Sequence, residues 1–372
     1  MDTQSIHQLK KFKFLVLTKY GHLGASSRMR SFQYLPDFEQ SDIQVTAQTL
    51  LSDDALRARY KNGRYGVSIL SSYLLRLRTL LTRKQFDLVW IEKEALPWWP
   101  LWLELALLSG VPYVLDYDDA VFHNYDQHIN PVVRFIFGRR LDGLMAQAAL
   151  VVAGNNYLAQ RARDAGAPWV EIVPTVINLA RYTPQVPRPI EPPIFDALPR
   201  VVWIGSPSTV SYLQLIREPL QELATRVPFL LRVIGGGPID LPGVNVEMVS
   251  WSEATEVKSI SACQVGVMPL LDTRWERGKC GYKLIQYMGC GLPVVASNVG
   301  INSEIVVHGE NGFLAENSQD WINALLQLLS DQTLRTRMGL KGREYVEKKY
   351  CTQKTGPRLV DLLRRVARGN LS

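Results

Sequence analysis

Short apolar runs rich in branched side chains alternate along the chain with longer amphipathic stretches. Strands of a parallel sheet have the first pattern, and the helices that connect them have the second. The pattern therefore predicts an α/β protein with six strands in each half of the chain. The predicted strands of the first half are residues 12–18, 44–49, 88–91, 113–116, 150–153 and 170–173. Those of the second half are residues 200–204, 230–234, 245–248, 265–269, 293–296 and 312–314.

A segment rich in proline separates the two halves. Six of the residues from Thr183 to Pro199 are prolines, and few contacts cross such a stiff, extended linker. The chain has 372 residues, whereas single cores stop growing near ~250–300 residues. We therefore predict an N-terminal domain over residues 1–182, a linker over 183–199 and a C-terminal domain over 200–345. The last segment, 346–372, is predicted to form a helix that packs back on the N-terminal domain.

A helical pattern runs through residues 333–366 near the end of the chain. Gly339, Gly342 and the pair of Gly356 and Pro357 interrupt this pattern. Because glycine and proline disfavour the interior of a helix, we predict that the helical segment breaks at these positions.

The composition is that of an ordinary globular protein, with 47% hydrophobic and 21% charged residues. The four cysteines form no Cys-x-x-Cys pair, and the amino terminus lacks the apolar segment of a secretory signal. The most apolar stretch, residues 95–115, contains three prolines, Glu104 and Gly110, so we expect it not to span a membrane. These features predict a cytoplasmic protein, with attachment to the inner face of the membrane as a second option.

The formal net charge of +7 has two interpretations, a mildly basic surface or attraction to an anionic membrane. No nucleic-acid-binding module accompanies the charge, so nucleic acid is not an expected partner. Residues 97–102 have the sequence PWWPLW. Tryptophans beside basic residues suit a membrane interface, but packing into the core is the interpretation that we favour for this segment.

Residues 278–297 have the sequence GKCGYKLIQYMGCGLPVVAS. The pattern indicates a glycine-containing loop, a helix that ends at Gly291, and a buried strand entered through Pro293. Amide groups at a helix start favour a bound anion, and glycines let a ligand approach the backbone. An ordinary strand, loop, helix and strand unit is the alternative interpretation.

This segment resembles the donor-site signature of the retaining glycosyltransferases of family 4. Segments 172–184, 232–238 and 299–312 resemble the same family, so the resemblance covers nearly the whole chain. It implies the GT-B architecture, in which two Rossmann-like doubly wound domains face each other across a cleft. It also implies retaining transfer of a sugar from a UDP- or GDP-linked donor to a glycan or polyprenyl-linked acceptor in cell-envelope polysaccharide synthesis. Such enzymes need no metal ion and no other cofactor, so we expect none here.

The resemblance places the donor diphosphate near the start of the signature helix. The expected donor-binding residues of this segment are Gly278, Lys279, Gly281, Lys283 and Gln286. A second group, Gly205, Ser206 and Ser208, follows the first strand of the C-terminal half. Small hydroxyl side chains there suit phosphate oxygens, but the same groups can cap a helix, and both interpretations stay open.

The chain departs from the family at two places. Most members have two glutamates separated by seven residues, and those positions align with Gly278 and Gln286. The amide of Gln286 can still hydrogen-bond a ribose hydroxyl, and Glu276, Lys279 or Lys283 can take over sugar or phosphate contacts. The usual basic pair after the first strand of the second domain is also absent.

Charged residues follow two predicted strands of the N-terminal half. Arg28 and Arg30 come after a glycine-rich loop and can grip a diphosphate, or they can form a solvated helix face. Asp118 and Asp119 follow the strand at 113–116, where a carboxylate can orient or deprotonate the acceptor hydroxyl, or cap a helix. We take Asp118, Asp119 and Arg28 as the candidate catalytic residues.

Two other functions fit the same sequence. A nucleotide-sugar 2-epimerase shares the architecture and needs no acceptor site. A binding protein that has lost catalysis would explain the missing glutamates. The charged residues at several strand ends favour an enzyme, because a scaffold does not need them.

Overall fold

The computed structural model describes residues 11–63, 68–182 and 198–369. These residues form two sheets of six parallel strands each, and every predicted strand is present to within two residues at either end. The predicted fold class is therefore confirmed. Residues 183–197 of the predicted linker lie outside the described residues, so the domain boundaries remain a prediction.

The first sheet has the strand order β2-β1-β3-β4-β5-β6. Its strands are β1 Phe12–Tyr20, β2 Ile43–Leu51, β3 Leu88–Glu92, β4 Tyr113–Tyr117, β5 Leu150–Ala153 and β6 Val170–Ile172. The helices between them are α1 Ala25–Arg30, α2 Leu35–Gln40, α3 Asp53–Asn62, α4 Ser68–Leu81, α5 Leu101–Leu108, α6 His123–Asp126, α7 Pro131–Phe137, α8 Arg140–Ala146 and α9 Asn156–Asp164. Short 3₁₀ turns occupy Phe32–Tyr34 and Arg83–Gln85.

The second sheet has the strand order β12-β11-β10-β7-β8-β9. Its strands are β7 Arg200–Ile204, β8 Leu230–Ile234, β9 Val246–Val249, β10 Val265–Met268, β11 Val294–Ser297 and β12 Gly312–Ala315. Its helices are α10 Arg217–Arg226, α11 Glu256–Ser261, α12 Arg274–Arg277, α13 Tyr282–Gly289, α14 Asn302–Ile305 and α15 Ser318–Ser330, with a 3₁₀ helix at Val210–Ile216. Two longer helices, α16 Gln332–Lys349 and α17 Thr352–Ala367, follow the sheet.

The central strands are buried on both faces. Every residue of β3, β4 and β5 is buried, which is why their sequences are continuous apolar runs without alternation. The C-terminal helix α17 covers part of the first sheet, where Thr355 shares a hydrogen bond of 2.9 Å with the Tyr34 hydroxyl.

The predicted helix breaks at three glycine positions are wrong. Helix α16 continues through Gly339 and Gly342, α17 continues through Gly356 and Pro357, and the break falls at Tyr350. A Cβ at Gly339 would lie 1.9 Å from the carbonyl oxygen of Gly291, and one at Gly356 would lie 2.4 Å from an Asp37 carboxylate oxygen. These glycines therefore serve close packing of the helix against its neighbours.

The prediction that the tryptophan-rich segment, residues 97–102, packs into the core is also wrong in part. Trp99 is half-buried against Tyr73, but the side chains of Trp98 and Trp102 are exposed. Trp98 has a φ of 65° and lies in the loop before α5, which begins at Leu101, so it is not part of the predicted packed helix. In the part of the chain that the structure describes, no helix has the length and apolar character needed to cross a bilayer.

Candidate active site in the interdomain cleft

The predicted donor-site signature forms the turn before α13 and the helix itself. Gly281 has a φ of 65°, a left-handed conformation that glycine adopts without strain. A Cβ at this position would also lie 2.3 Å from the Cδ1 atom of Ile305. The turn therefore needs glycine both for its backbone and for the approach of Ile305.

Gly278 lies directly against the first sheet's loop after β4. A Cβ at Gly278 would come within 2.5 Å of the Ala120 Cβ and 2.8 Å of the Ala120 amide nitrogen. The glutamate that the family has at this position would therefore not fit while the two halves are in contact. This contact is a physical reason for one of the two departures from the family.

Asp118 forms a buried ion pair on the N-terminal side of the cleft. The Lys93 Nζ atom lies 2.9 Å from Asp118 Oδ1 and donates a hydrogen bond of 3.0 Å to the Ser26 hydroxyl. Burial alone would raise the pKa of Asp118, but Lys93, Ser26 and Arg30 together hold it below its ordinary value. The Asp118 carboxylate is therefore ionised and already paired.

Asp119 is paired across the cleft. Its carboxylate accepts a hydrogen bond of 2.8 Å from the Nζ atom of Lys279, which belongs to the donor-site turn. The Asp119 side chain is 23% exposed, compared with 11% for Asp118, so it is the more accessible of the two carboxylates. The Cys280 thiol also donates to the Asp118 carbonyl, and the Asn155 amide donates to the Lys279 carbonyl at 2.9 Å.

The helix-cap interpretation of Asp118 and Asp119 is wrong. Helix α6 begins at His123, and Phe122 is its N-cap residue. Neither carboxylate therefore caps this helix. The predicted role in orienting or deprotonating the acceptor hydroxyl is compatible with the geometry, and the ion pairs add a structural role in holding Lys93 and Lys279.

Arg28 and Arg30 are both buried, so the solvated-face interpretation is wrong for both. Arg30 makes a two-point hydrogen bond to Asp116, at 2.7 and 3.2 Å, and also donates to the Val173 carbonyl. Arg28 instead reaches the other half of the chain, where its guanidinium lies 4.5 Å from the ring centroid of Trp251. Among the described residues the Nε atom of Arg28 has no hydrogen-bond partner, which leaves a buried donor in the cleft.

Lys283 differs from the other lysines of the cleft. It forms no ion pair with an acid of the described segments, and its Nζ atom lies 5.4 Å from the ring centroid of Trp203. Burial, together with repulsion from Lys279, lowers the pKa of Lys283 to about 8, although Asp119 opposes this shift. An anion placed beside Lys283 would raise this pKa again.

The residues after β7 form a hydroxyl-rich turn beside Trp203. The Ser206 hydroxyl shares a hydrogen bond of 2.8 Å with Ser208, and the Ser206 amide donates to the Thr209 hydroxyl. A Cβ at Gly205 would lie 2.3 Å from the Trp203 ring, the same ring over which Lys283 lies. The helix-cap interpretation is not what the structure has, because Thr209, the N-cap residue of the following helix, makes no side-chain cap.

Gln286 is buried behind the cleft surface. Its amide donates a hydrogen bond of 3.0 Å to the Tyr182 hydroxyl, which in turn donates to Glu256 at 2.6 Å. Glu256 also accepts a hydrogen bond of 2.7 Å from the indole of Trp251. Gln286 therefore belongs to a network that fixes Trp251, the partner of Arg28.

A cavity of about 340 Å³ lies in the cleft nearby and is lined by Asn155, Tyr157, Arg277, Ser303 and neighbouring residues. A larger cavity of about 490 Å³ lies within the first half, between α7 and α9. Gly278 and Lys279 contact the loop after β4, so the two halves touch beside the candidate groups.

Three residues of this site are absent from the predicted set. Lys93 follows β3, which is the neighbour of β4 in the sheet, and this order of the strands places it beside Asp118. Trp251 and Tyr182 join the site only through contacts between the two halves. Sequence patterns give no signal for contacts of that kind.

Comparison with known proteins agrees with the class of protein that the sequence predicts, a glycosyltransferase. Residues 199–331 match the family described as "Glycosyl transferases group 1". The structure is similar to a sucrose-phosphate synthase from Thermosynechococcus elongatus, with a TM-score of 0.71 and 14% identity, over 96% of this chain and all of the other. It is also similar to Anabaena Alr3699/HepE in complex with UDP, with a TM-score of 0.68 and 16% identity, over 95% of this chain and all of the other.

Characterised relatives include glycosyltransferases. A GDP-mannose-dependent alpha-(1-6)-phosphatidylinositol monomannoside mannosyltransferase of Mycobacterium tuberculosis is 26% identical over 348 residues, which is 84% of this chain and 86% of the relative. N-acetyl-alpha-D-glucosaminyl L-malate synthase of Bacillus anthracis is 32% identical, but the match covers only 21% of either chain. The fold and the matched domain support a glycosyltransferase of GT-B architecture. The matched domain is of the group 1 type.

Proposed function

We propose that this chain transfers a sugar, with retention at the anomeric carbon, from a nucleoside diphosphate sugar to a hydroxyl group of a glycan or lipid-linked acceptor in cell-envelope polysaccharide synthesis. The observation that carries the proposal is Lys283, a half-buried lysine over the Trp203 ring with a lowered pKa and no ion pair among the described acids. A cleft that keeps such a cation suits a ligand that brings negative charge.

The donor diphosphate is proposed to lie between Lys283, the start of α13 and the turn at residues 205–209. Backbone amides, hydroxyl groups and a cation are the groups that stabilise a leaving diphosphate. Lys283 would then take the place of the basic pair that the family has after β7. Binding of UDP by one similar structure, and use of GDP-mannose by one relative, support a nucleoside diphosphate as the ligand.

Arrival of the donor is proposed to exchange the partners of two charged groups. Lys279 now pairs with Asp119, and a diphosphate is the stronger partner for this lysine. Once Lys279 has left Asp119 for the diphosphate, the Asp119 carboxylate would be available to the acceptor hydroxyl. Asp118 would stay with Lys93 and hold the loop in position.

In the proposed reaction the bond between the anomeric carbon and the phosphate oxygen breaks, and a bond from the acceptor oxygen to that carbon forms. The departing diphosphate leaves with the bonding electron pair, which the cations around the helix start stabilise. Asp119 orients the acceptor hydroxyl and accepts its proton as the new bond forms. Retention, membership of family 4 and independence of metal ions are carried over from the resemblance and remain parts of the proposal.

Titration calorimetry with UDP and GDP, each with and without EDTA, tests the donor part of the proposal. We expect one nucleotide to bind with the same affinity in both conditions, and affinity that disappears with EDTA would contradict the metal-free cradle. The next experiment mixes the donor with an acceptor glycan and follows both. Conversion of the donor sugar to its 2-epimer without an acceptor would instead identify an epimerase, and binding without any conversion would identify a binding protein.

The proposal also includes a location on the cytoplasmic side, at the inner face of a membrane. This location would bring the chain to a lipid-linked acceptor. It rests on the basic composition and on the exposed tryptophans.

A further inference from the structure

A group of exposed apolar side chains surrounds the loop between β3 and α5. We call the apolar surface the six residues Leu74, Trp98, Trp102, Ile129, Phe135 and Ile136. Ile129 is 92% exposed and Phe135 is 91% exposed, so they contact almost nothing in the described chain. Scattered exposed apolar residues are ordinary, but a cluster of large ones indicates a surface that meets a partner or a membrane.

Direct contacts join the parts of the apolar surface. The Tyr73 ring of α4 stacks on Trp99 at 6.1 Å, and its hydroxyl donates to the Pro97 carbonyl at 3.0 Å. On the other side, the Trp98 indole lies 6.2 Å from the Phe137 ring of α7. The loop between β3 and α5, which carries Trp98 and Trp99, therefore lies between α4 and α7. The exposed side chains of these two helices lie on either side of it.

The chain segments that form the apolar surface contain basic residues and no acids. Residues 68–85, 95–103 and 127–141 contain no Asp and no Glu, whereas Arg78, Lys84 and Arg139 are exposed. The nearby acids Asp126 and Asp142 are both paired with Arg161. Exposed apolar side chains bordered by cations are the composition of a surface that lies in the interface of an anionic bilayer.

We infer that the apolar surface docks on a bilayer that contains anionic lipids. Trp98, Phe135 and their neighbours would enter the boundary between head groups and acyl chains, and the basic side chains would contact lipid phosphates. A second copy of the chain is a poorer occupant, because two such surfaces would bring their positive charges together. The inference deepens the proposed location at a membrane and does not depend on the transfer reaction.

Flotation of the full chain with vesicles tests the inference. Vesicles of phosphatidylcholine alone are compared with vesicles of equal parts phosphatidylcholine and phosphatidylglycerol. We expect binding to the second kind that weakens as salt rises, because exposed charges are screened. The double variant Phe135→Ser with Ile136→Ser should bind roughly a hundredfold more weakly, since it removes two apolar side chains from the membrane. Replacing Arg78 or Lys84 by Gln should cost about fivefold each.

Leu340→Ser is the matched control. Leu340 is 61% exposed on α16, outside the apolar surface, so its loss should leave vesicle binding unchanged. A melting temperature and a nucleotide affinity are measured for every variant, which separates loss of docking from loss of folding or of the donor site. Absence of wild-type binding to the anionic vesicles overturns the inference while the proposed reaction stands. Self-association that the double variant abolishes, without vesicle binding, would overturn it in favour of a contact between copies.

Discussion

Among single residues, Lys283 has the most readily tested chemistry, because its charge has no acidic partner in the described cleft. Substitution by Gln removes the proposed bond to the donor phosphate. The loss of a charged hydrogen bond at a buried site is worth ~1.5–3 kcal/mol, so nucleotide affinity should fall roughly ten- to 150-fold. Calorimetry measures the affinity, and Lys348→Gln at an exposed position of α16 is the control. Equal affinities for both variants would remove Lys283 from the donor site.

The lowered pKa of Lys283 predicts how donor affinity depends on pH. The pKa of Lys283 is lowered to about 8 in the ligand-free chain, and a bound diphosphate should raise it. Below pH 8 the lysine is already charged and binding takes up no proton. Above pH 8 binding must return the proton, so affinity should fall by up to about tenfold per pH unit. Calorimetry from pH 7 to 9 measures this slope, which should be absent in Lys283→Gln. A slope common to both proteins would assign the effect to another group.

Asp118 and Asp119 are predicted to differ in what they control. Asp119→Asn should leave donor affinity and melting temperature nearly unchanged while transfer slows, because the help of an acid or base group is worth roughly 10²–10⁴-fold. Asp118→Asn should lower the melting temperature, because it leaves the buried Lys93 without its nearest partner. Transfer rates and melting curves of each variant test this, with the exposed Asp54→Asn as control. Full turnover in both variants would exclude a catalytic role for either aspartate.

At the residue level the sequence indicated where charges collect but not how they pair. Arg28 and Asp118 are predicted because they follow a strand or a glycine-rich loop, and Lys279 because it lies in the segment that resembles the donor-site signature. The pairing of Lys93 with Asp118 needs the order of the strands, which the sequence only implies through the fold. The contact of Arg28 with Trp251 joins residues from opposite halves, and no local pattern encodes it.

At the level of elements, strands were predictable and the breaks in the last helices were not. A strand buried on both faces must be apolar throughout, so its pattern is independent of its neighbours. A glycine in a helical pattern can mark a break in the helix or a close approach of another element to the helix. The sequence pattern is the same in both cases. Only the position of Gly291 beside α16 shows that Gly339 belongs to the second kind.

Substitution of Gly339 by Ala distinguishes the two explanations by the sign of the change in the free energy of unfolding. Alanine favours a helix by about 1 kcal/mol over glycine, so a glycine without packing neighbours would make the variant more stable. Because a Cβ at Gly339 would meet the Gly291 backbone at 1.9 Å, we expect a loss of ~1–3 kcal/mol instead. Gly342→Ala should cost less, since its Cβ would meet the flexible Met288 side chain. Denaturant unfolding measures both, and a more stable Gly339→Ala variant would contradict the packing argument.

For the whole molecule, the central feature is that the two halves touch where the donor is proposed to bind. Gly278 lies against Ala120, and Lys279 pairs with Asp119 across the cleft. Exposed ion pairs contribute little free energy to a contact. The pair of Lys279 and Asp119 is partly exposed, so it holds the two halves together only weakly. The close approach of the two backbones is the stricter requirement, because it depends on the absence of a side chain.

Gly278→Ala tests whether that approach is needed for transfer. The added Cβ would lie 2.5 Å from the Ala120 Cβ and 2.8 Å from its amide nitrogen, so the halves must move apart to accept it. Donor affinity should change little, because Lys283 and the turn after β7 belong to the same half. Transfer should slow by ~10²-fold, since small displacements of reacting groups cost about that much. Adding Ala120→Gly removes one of the two clashes and should restore part of the rate. Small-angle scattering should show a larger radius of gyration for Gly278→Ala than for the wild type and an intermediate value for the double variant. A Gly278→Ala protein with the wild-type radius and full turnover would show that closure at this contact is not part of the reaction.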